Sequence, residues 1–173
     1  NAAPSGDSIP NLVAHNAVAN LVGPSGTRQI PVEDVCTGPR QTCIGQDELL
    51  VSIQIPKPED GFGANYLRFI PRNEMDIAVA GVGASVTISD NKFKAARVCL
   101  ASVAPTPLFV EEAGDSLVGK TVNEDAIQGA AELARDAARP ISDMRGTAEY
   151  RKHLCEVLTR RALNKAIERA QGS

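Results

Sequence analysis

The sequence predicts an α+β fold: a small β-rich unit, then a three-stranded antiparallel sheet packed with C-terminal helices. Residues 72–103 indicate the sheet, because two β-rich runs flank a polar turn at residues 89–92, a pattern typical of a long hairpin. The first run is rich in glycine and alanine, which suit a sheet face that a helix approaches closely. Two helical segments follow later in the chain.

Length and charge narrow the possible classes of function. A chain of 173 residues can bury a substantial core, as one domain or two small ones. Its net charge of −3 gives little attraction to a phosphate backbone, so we expect no nucleic-acid binding. No run of about 18 apolar residues is present, and the first residues lack the basic and apolar regions of a signal peptide. We therefore expect a cytoplasmic protein without a membrane span.

The cysteines are the candidates for metal or disulfide chemistry. They are Cys36, Cys43, Cys99 and Cys155. No two of them form a CxxC pair, and only two histidines could complete a ligand set, so we predict no metal site. Plain thiols in a reducing cytoplasm are the favoured interpretation, and two disulfides in an exported protein are the alternative.

The first third of the chain is predicted to be a small β-rich unit. Its hairpin is inferred from the loop formers at residues 23–26, and its last strand from the alternation of Val51, Ile53 and Ile55, which predicts one buried face. The predicted elements are a tight loop over residues 1–10, a helical turn over 11–15, strands over 17–22 and 27–31, a helical turn over 32–35, a loop over 37–46 and a strand over 48–56.

The remaining elements follow a segment rich in structure breakers at residues 57–61, which we take as a boundary. Residues 65–70 supply the third strand of the sheet. Asn123 is the expected N-cap of an alanine-striped helix that ends at Pro140, and we expect its stripe to cover the glycine and alanine face of the sheet. A last helix begins near Thr147.

One side of the last helix is basic. We interpret this side as a solvated surface, and a docking face for an acidic partner is the alternative. Its residues are Arg151, Lys152, Arg160, Lys165 and Arg169.

The residue patterns predict no catalytic constellation. Asp7 lies in a proline- and glycine-rich turn, where an Asx-turn that caps the local backbone is the ordinary interpretation. Arg72 and Asp76 could form an ion pair before an apolar strand, and such pairs are usually structural. The chain has neither a dinucleotide- nor a nucleotide-binding glycine motif, and no nucleophile-elbow serine.

Five segments together resemble the FAD-binding medium subunit of the molybdenum hydroxylases, the family of xanthine dehydrogenase and carbon monoxide dehydrogenase. The resemblance covers residues 1 to about 161. The segments are Asn1-Ala-Ala-Pro-Ser-Gly-Asp7, residues 48–56, residues 72–78, Ala104-Pro-Thr-Pro107 and Pro140-Ile-Ser-Asp-Met-Arg-Gly-Thr-Ala-Glu-Tyr-Arg-Lys152.

The resemblance implies an electron-transfer flavoprotein. A large subunit with the molybdenum cofactor would act on substrate, [2Fe-2S] clusters in a small subunit would relay electrons, and the FAD of this subunit would pass them to an acceptor. Asp7 and Leu50 match flavin-site residues, Asn1 falls at the end of the second flavin-binding motif, and Arg68 replaces the usual lysine. We expect Asp7 at the mouth of the flavin cleft, with its carboxylate free to accept hydrogen bonds from the cofactor.

The resemblance also implies two parts. Residues 1–58 would be the C-terminal part of the FAD-binding domain, and residues 59–173 the C-terminal domain of the flavoprotein. The chain begins without methionine and lacks the family's first glycine-rich flavin loop, so we expect the upstream half of the same subunit to be missing, and FAD to bind weakly without it. A non-enzymatic module for subunit assembly is the alternative function.

Overall fold

The computed structural model describes residues 2–72 and 75–172. The helices are α1 (Ser8–Ala14), α2 (Glu111–Asp115), α3 (Glu124–Ala137) and α4 (Ala148–Ala170). The strands are β1 (Val18–Gly23), β2 (Gly26–Pro31), β3 (Cys36–Gly38), β4 (Gln41–Thr42), β5 (Leu49–Gln54), β6 (Phe62–Phe69), β7 (Ala80–Ser89), β8 (Lys92–Ala101) and β9 (Leu108–Phe109). This mixture of helices and antiparallel sheets is the α+β fold that the sequence predicts.

The first third contains a three-stranded sheet of order β2-β1-β5 and a small β3-β4 hairpin. The predicted hairpin and the helical turn at Val32–Asp34 are confirmed. The predicted loop over residues 37–46 is wrong in part, because it contains the short β3-β4 hairpin. The predicted half-buried strand is also wrong in its burial: every residue of β5 is exposed in the described structure, although the strand pairs with β1. Alternation identified the strand but could not show that neither face is covered.

The second sheet is antiparallel, with the order β6-β7-β8-β9. Its central hairpin turns at Asp90 and Asn91, whose φ angles of 50° and 58° are those of the primed turns that match strand twist. The three predicted strands are confirmed, but the sheet has a fourth, β9. Two residues are too few to produce an alternating pattern, so sequence reasoning missed this strand.

Helix α4, and not α3, covers one face of this sheet. It packs against β6 and β7, while α3 packs against α4 and α2, so the alanine stripe of α3 meets a helix where a sheet was expected. The helix and the sheet approach closely at Gly63 of β6: a Cβ atom there would lie 2.0 Å from the carbonyl oxygen of Ala166. Alanine at this position would therefore force the backbones apart.

Helix α1 covers the opposite face and packs against β7 and β8. Ser85 of β7 fastens this contact, because its buried hydroxyl donates to the carbonyl oxygen of Ala14 at 2.6 Å. The helix begins at Ser8 within the predicted loop and includes Pro10. Proline is tolerated there because the first turn of a helix has no intrahelical partner for its N–H groups.

Helix α3 begins at its predicted cap, and α4 begins where it was predicted to start, at Thr147. Asn123 Oδ1 accepts from the N–H of Ala126 at 2.9 Å, and Thr147 Oγ1 accepts from the N–H of Tyr150 at 3.1 Å. One residue of the predicted basic face is misplaced, because Arg151 is only 4% exposed. Helical periodicity predicts Arg151 on the solvated side, but its contacts with Val79, Ser102 and Asp143 at the first turn of α4 bury it.

Candidate functional site

Asp7 lies immediately before α1 and joins this helix to the second sheet. Its side chain makes no capping bond to α1, so the Asx-turn interpretation is wrong. Instead, Oδ1 accepts a hydrogen bond from the hydroxyl of Tyr66 at 2.6 Å, and Oδ2 forms an ion pair with the guanidinium of Arg68. Two predicted site residues, Asp7 and Arg68, are therefore brought together across 61 positions of the chain.

Tyr66 is a member of this cluster that sequence reasoning missed. It precedes Arg68 by two positions on β6, so both side chains point to the face of the sheet that α1 covers. The strand period alone could have identified it. Gly81, which pairs with Arg68 on β7, leaves room for the Tyr66 hydroxyl, because a Cβ atom there would lie 2.8 Å from it.

The electrostatics of the cluster favour hydrogen bonding to a ligand. Burial raises the pKa of Tyr66, and its hydrogen bond to Asp7 raises it further, so the phenol stays protonated and donates. The side chains of Asp7 and Arg68 are 39% and 36% exposed. The sequence predicts a free carboxylate at Asp7, but Tyr66 and Arg68 already donate to it. A carboxylate with two protein donors can still accept further hydrogen bonds from a ligand.

Leu50 lies on β5, outside this cluster. It pairs with Leu21 next to a bulge in the β1-β5 ladder and lines a mostly apolar cavity of about 220 Å³. Ser8 and Ile9, the two residues that follow Asp7, line the same cavity. The first turn of α1 thus links the cavity at Leu50 to Asp7, although none of the three cluster residues lines that cavity. The remaining predicted site residue, Asn1, lies outside the described residues.

The predicted ion pair between Arg72 and Asp76 is confirmed, with 3.3 Å between Arg72 Nε and Asp76 Oδ2. The carboxylate is 7% exposed, and Oδ1 also accepts from the N–H of Ile77 at 2.9 Å. The partners of Asp76 thus belong to the loop before β7, as in a structural pair.

The cysteines are unpaired thiols. Cys99 and Cys155 are buried, and burial raises the pKa of Cys155 to about 12, so its thiol stays protonated. Within residues 2–72 and 75–172, no three histidine, cysteine or acidic side chains are grouped as a metal site requires. In the same residues no helix is long and apolar enough to cross a membrane.

Two family models match the chain. Residues 1–58 match the FAD binding domain in molybdopterin dehydrogenase, and residues 65–166 match the CO dehydrogenase flavoprotein C-terminal domain. The carbon monoxide dehydrogenase medium chain of Afipia carboxidovorans is 38% identical over 96% of this chain and 58% of its own length. The xanthine dehydrogenase FAD-binding subunit of Escherichia coli O157:H7 is 27% identical over 99% of this chain and 59% of its own length.

Solved structures agree with these sequence matches. The reconstituted CO dehydrogenase from Oligotropha carboxidovorans superposes with a TM-score of 0.92 at 37% identity, over 98% of this chain and 59% of that chain. Quinoline 2-oxidoreductase from Pseudomonas putida 86 superposes with a TM-score of 0.83 at 29% identity, over 99% of this chain and 58% of that chain. The chain thus spans less than two thirds of the length of these relatives. It belongs to the CO dehydrogenase flavoprotein family, the FAD-binding medium subunits of the molybdenum hydroxylases.

Proposed function

We propose that the chain supplies part of the FAD site in an electron-transferring oxidoreductase subunit. The cluster of Asp7, Tyr66 and Arg68 carries the proposal, because it offers an acceptor and a positive charge, and the two residues that follow Asp7 line an apolar cavity. Charge-assisted hydrogen bonds of this kind are the strong ones in ligand binding.

The chemistry of these side chains fits FAD. Asp7 can accept hydrogen bonds from cofactor hydroxyls, Arg68 can donate to a phosphate or ring oxygen, and Leu50 offers apolar surface. When bound, FAD would take up electrons and pass them on. The cavity beside Leu50, about 220 Å³, is smaller than the roughly 300–1,000 Å³ of pockets that hold a drug-sized ligand, so these residues would form only part of the site.

We further propose that the upstream half of the same subunit covers β5 and completes the site. Leu49, Val51 and Ile55 are 73%, 63% and 53% exposed, and β5 is an edge of its sheet. Natural proteins seldom leave a flat apolar edge strand open, because it invites pairing with other chains. About two fifths of the length of the carbon monoxide dehydrogenase medium chain lies outside its match to this chain, and that part is a source for such a covering segment.

The partners proposed for the complete subunit are a [2Fe-2S] small subunit and a large subunit with the molybdenum cofactor. Electrons would pass from substrate through the [2Fe-2S] clusters to FAD and then to an external acceptor. We propose a cytoplasmic location and a division at residues 58 and 59 between the FAD-binding part and the C-terminal domain. The medium-subunit names of the relatives support such an assembly.

The test compares flavin content and electron transfer in two preparations. The first is the 173-residue chain, and the second is the complete subunit assembled with the two proposed partner subunits. We expect a flavin absorbance spectrum and reduction of an artificial dye only in the second preparation. Flavin-dependent turnover by the first alone would show that the cofactor has been misplaced, and a complete assembly without flavin would favour a module for subunit assembly.

A further inference from the structure

A cavity of about 400 Å³ lies at the first turn of α4, and Asp7, Tyr66 and Arg68 are not among the residues that line it. It is formed by the segment between α3 and α4, the residues that follow β8 and the residues that precede β7, together with Pro4, Ser5 and Pro39 from the first third of the chain. Its polar lining includes three arginines and one carboxylate: Arg139, Arg145, Arg151 and Asp143. The cavity therefore has an excess of positive charge.

The three arginines differ in the hydrogen-bond partners of their guanidinium groups. Arg151 donates to Asp143 Oδ1 at 2.6 Å and to the carbonyl oxygen of Val79 at 2.7 Å. Arg139 donates to main-chain oxygens at the end of α3. The guanidinium of Arg145, by contrast, makes no hydrogen bond to any described residue. Its carboxylate neighbour, Asp143, is already engaged by Arg151.

Two polar atoms on the buried side of the cavity also have no partner in the described part of the chain. They are Nε of Arg151, whose side chain is 5% exposed, and the hydroxyl oxygen of Ser102. A buried donor without an acceptor costs about 1–3 kcal/mol, so a built site normally provides one. Arginine can only donate, which means that the missing group is an acceptor.

The rim of the cavity is apolar and exposed. Ile77 and Ile141 line it and are 51% and 71% exposed, and Met144 in the same loop is 95% exposed. Large apolar side chains around a cationic centre are typical of protein interfaces, where arginine and methionine are enriched. A small free anion would use the arginines but would leave this rim in water.

We propose that the cavity receives an acidic side chain from another subunit of the complex, presented on a segment whose neighbouring residues are apolar. The carboxylate meets Arg145 and the positive potential of Arg139 and Arg151. The flanking apolar residues cover Ile77, Ile141 and Met144. This inference rests on one part of the proposed function, the assembly of the complete subunit with partner subunits, because one of those subunits supplies the acidic side chain.

The test measures association of the complete subunit with its partner subunits, using native mass spectrometry and a dilution series. Arg145→Gln should weaken association by about tenfold, the equivalent of one lost charge-assisted contact, and Arg145→Glu should weaken it more. Ile141→Ser tests the rim separately. The matched controls are Arg161→Gln on the exposed side of α4 and Val118→Ser, an apolar residue that is 50% exposed and does not line the cavity.

Two further measurements separate the outcomes. Amide hydrogen exchange in residues 140–146 should slow when the complex assembles. The flavin content of the complex should be the same in the variants at all four positions, two in the cavity and two controls. If the Arg145 and control variants associate equally well and amide exchange does not slow on assembly, the docking proposal is overturned. The proposed function still stands in that case if the complex contains flavin. Binding of inorganic phosphate or acetate that depends on Arg145, with association unchanged, would show a small-anion site instead. A preparation with neither flavin nor partners would overturn the proposed function and this inference together.

Discussion

The guanidinium of Arg151 donates a hydrogen bond to the main-chain oxygen of Val79 at 2.7 Å, across 72 positions of the chain. The same nitrogen, Nη1, lies 3.3 Å from the carbonyl oxygen of Ser102, and Nη2 reaches Asp143. One side chain from the first turn of α4 therefore joins the segment entering β7, the segment leaving β8 and the loop before its own helix.

Arg151→Met should destabilise the fold by about 1–3 kcal/mol, because it leaves the carbonyl oxygens of Val79 and Ser102 without their donor. Urea unfolding followed by circular dichroism measures this loss. Arg161→Met, at an exposed position of the same helix, is the control and should change the free energy of unfolding by less than about 0.5 kcal/mol. Equal losses in both variants would contradict the role given to Arg151.

The pH dependence of stability should report on Asp143. The N–H of Arg145 and then the guanidinium of Arg151 lower the pKa of this carboxyl in the folded state. A lowered folded pKa means that the unfolded chain binds the proton more readily, so the stabilisation is complete above the unfolded pKa of about 4 and is lost as pH falls through the folded pKa. The difference in unfolding free energy between the natural chain and Asp143→Asn should be constant above about pH 5 and should shrink below pH 4. A difference that does not vary from pH 7 to pH 3 would contradict this assignment.

Leucine at position 80 or 84 should overpack the face of β7 that α4 covers. Both alanines are fully buried in the main core, so each substitution should cost about 1–3 kcal/mol of unfolding free energy. Ala95→Leu, at an exposed position of the neighbouring strand, is the matched control. Unchanged melting temperatures in Ala80→Leu and Ala84→Leu would mean that the helix does not cover this face.

Two glycine-to-alanine changes should have opposite signs. Gly63→Ala places a methyl group 2.0 Å from the carbonyl oxygen of Ala166, and we expect a loss of about 2–3 kcal/mol. Gly129 of α3 has no atom within 4 Å of an added Cβ, so Gly129→Ala should gain about 0.5–1 kcal/mol from helix propensity. Thermal unfolding measures both, and a neutral Gly63→Ala would place α4 farther from β6 than the structure does.

In the complete subunit, Asp7→Ala should weaken FAD retention by about 1–3 kcal/mol, the range for one charge-assisted hydrogen bond. Tyr66→Phe should have a smaller effect in the same direction, because it removes only the hydroxyl that holds the Asp7 carboxylate in place. Flavin released on dialysis, followed by absorbance, measures both. Gln128→Ala, in a partly exposed network on α3 and α4, serves as the control. Full flavin occupancy in Asp7→Ala would leave the carboxylate with a purely structural role.

The sequence predicted the hairpin turn and the helix starts correctly, because the residues that determine them interact with backbone only a few positions away. Asp90 and Asn91 tolerate the left-handed backbone of a tight hairpin turn, and Asn123 and Thr147 cap helices with their own side chains. Each of these preferences is settled within about four residues, so the sequence around the position is sufficient to show it.

The failures of prediction concern surfaces that distant parts of the chain cover. Arg151 has the spacing of a solvated residue, and only the loops from residues 79, 102 and 143 make it buried. The alanine stripe of α3 is equally suited to a helix or a sheet, so composition could not select α4 as its neighbour. The pairing of Asp7 with Arg68 depended on the family resemblance to suggest both residues, and the geometry then added Tyr66.

The contact at Gly63 also limits how the two layers can move. Main chain touches main chain there, with no flexible side chain between to absorb a displacement, and Arg169 donates to the carbonyl oxygen of Ala64 at 2.5 Å one turn farther along α4. Sliding the helix along the strand by one residue, a rise of about 1.5 Å, would bring side chains into that contact. Main-chain contact therefore opposes any sliding of helix α4 along strand β6, the strand that carries Tyr66 and Arg68.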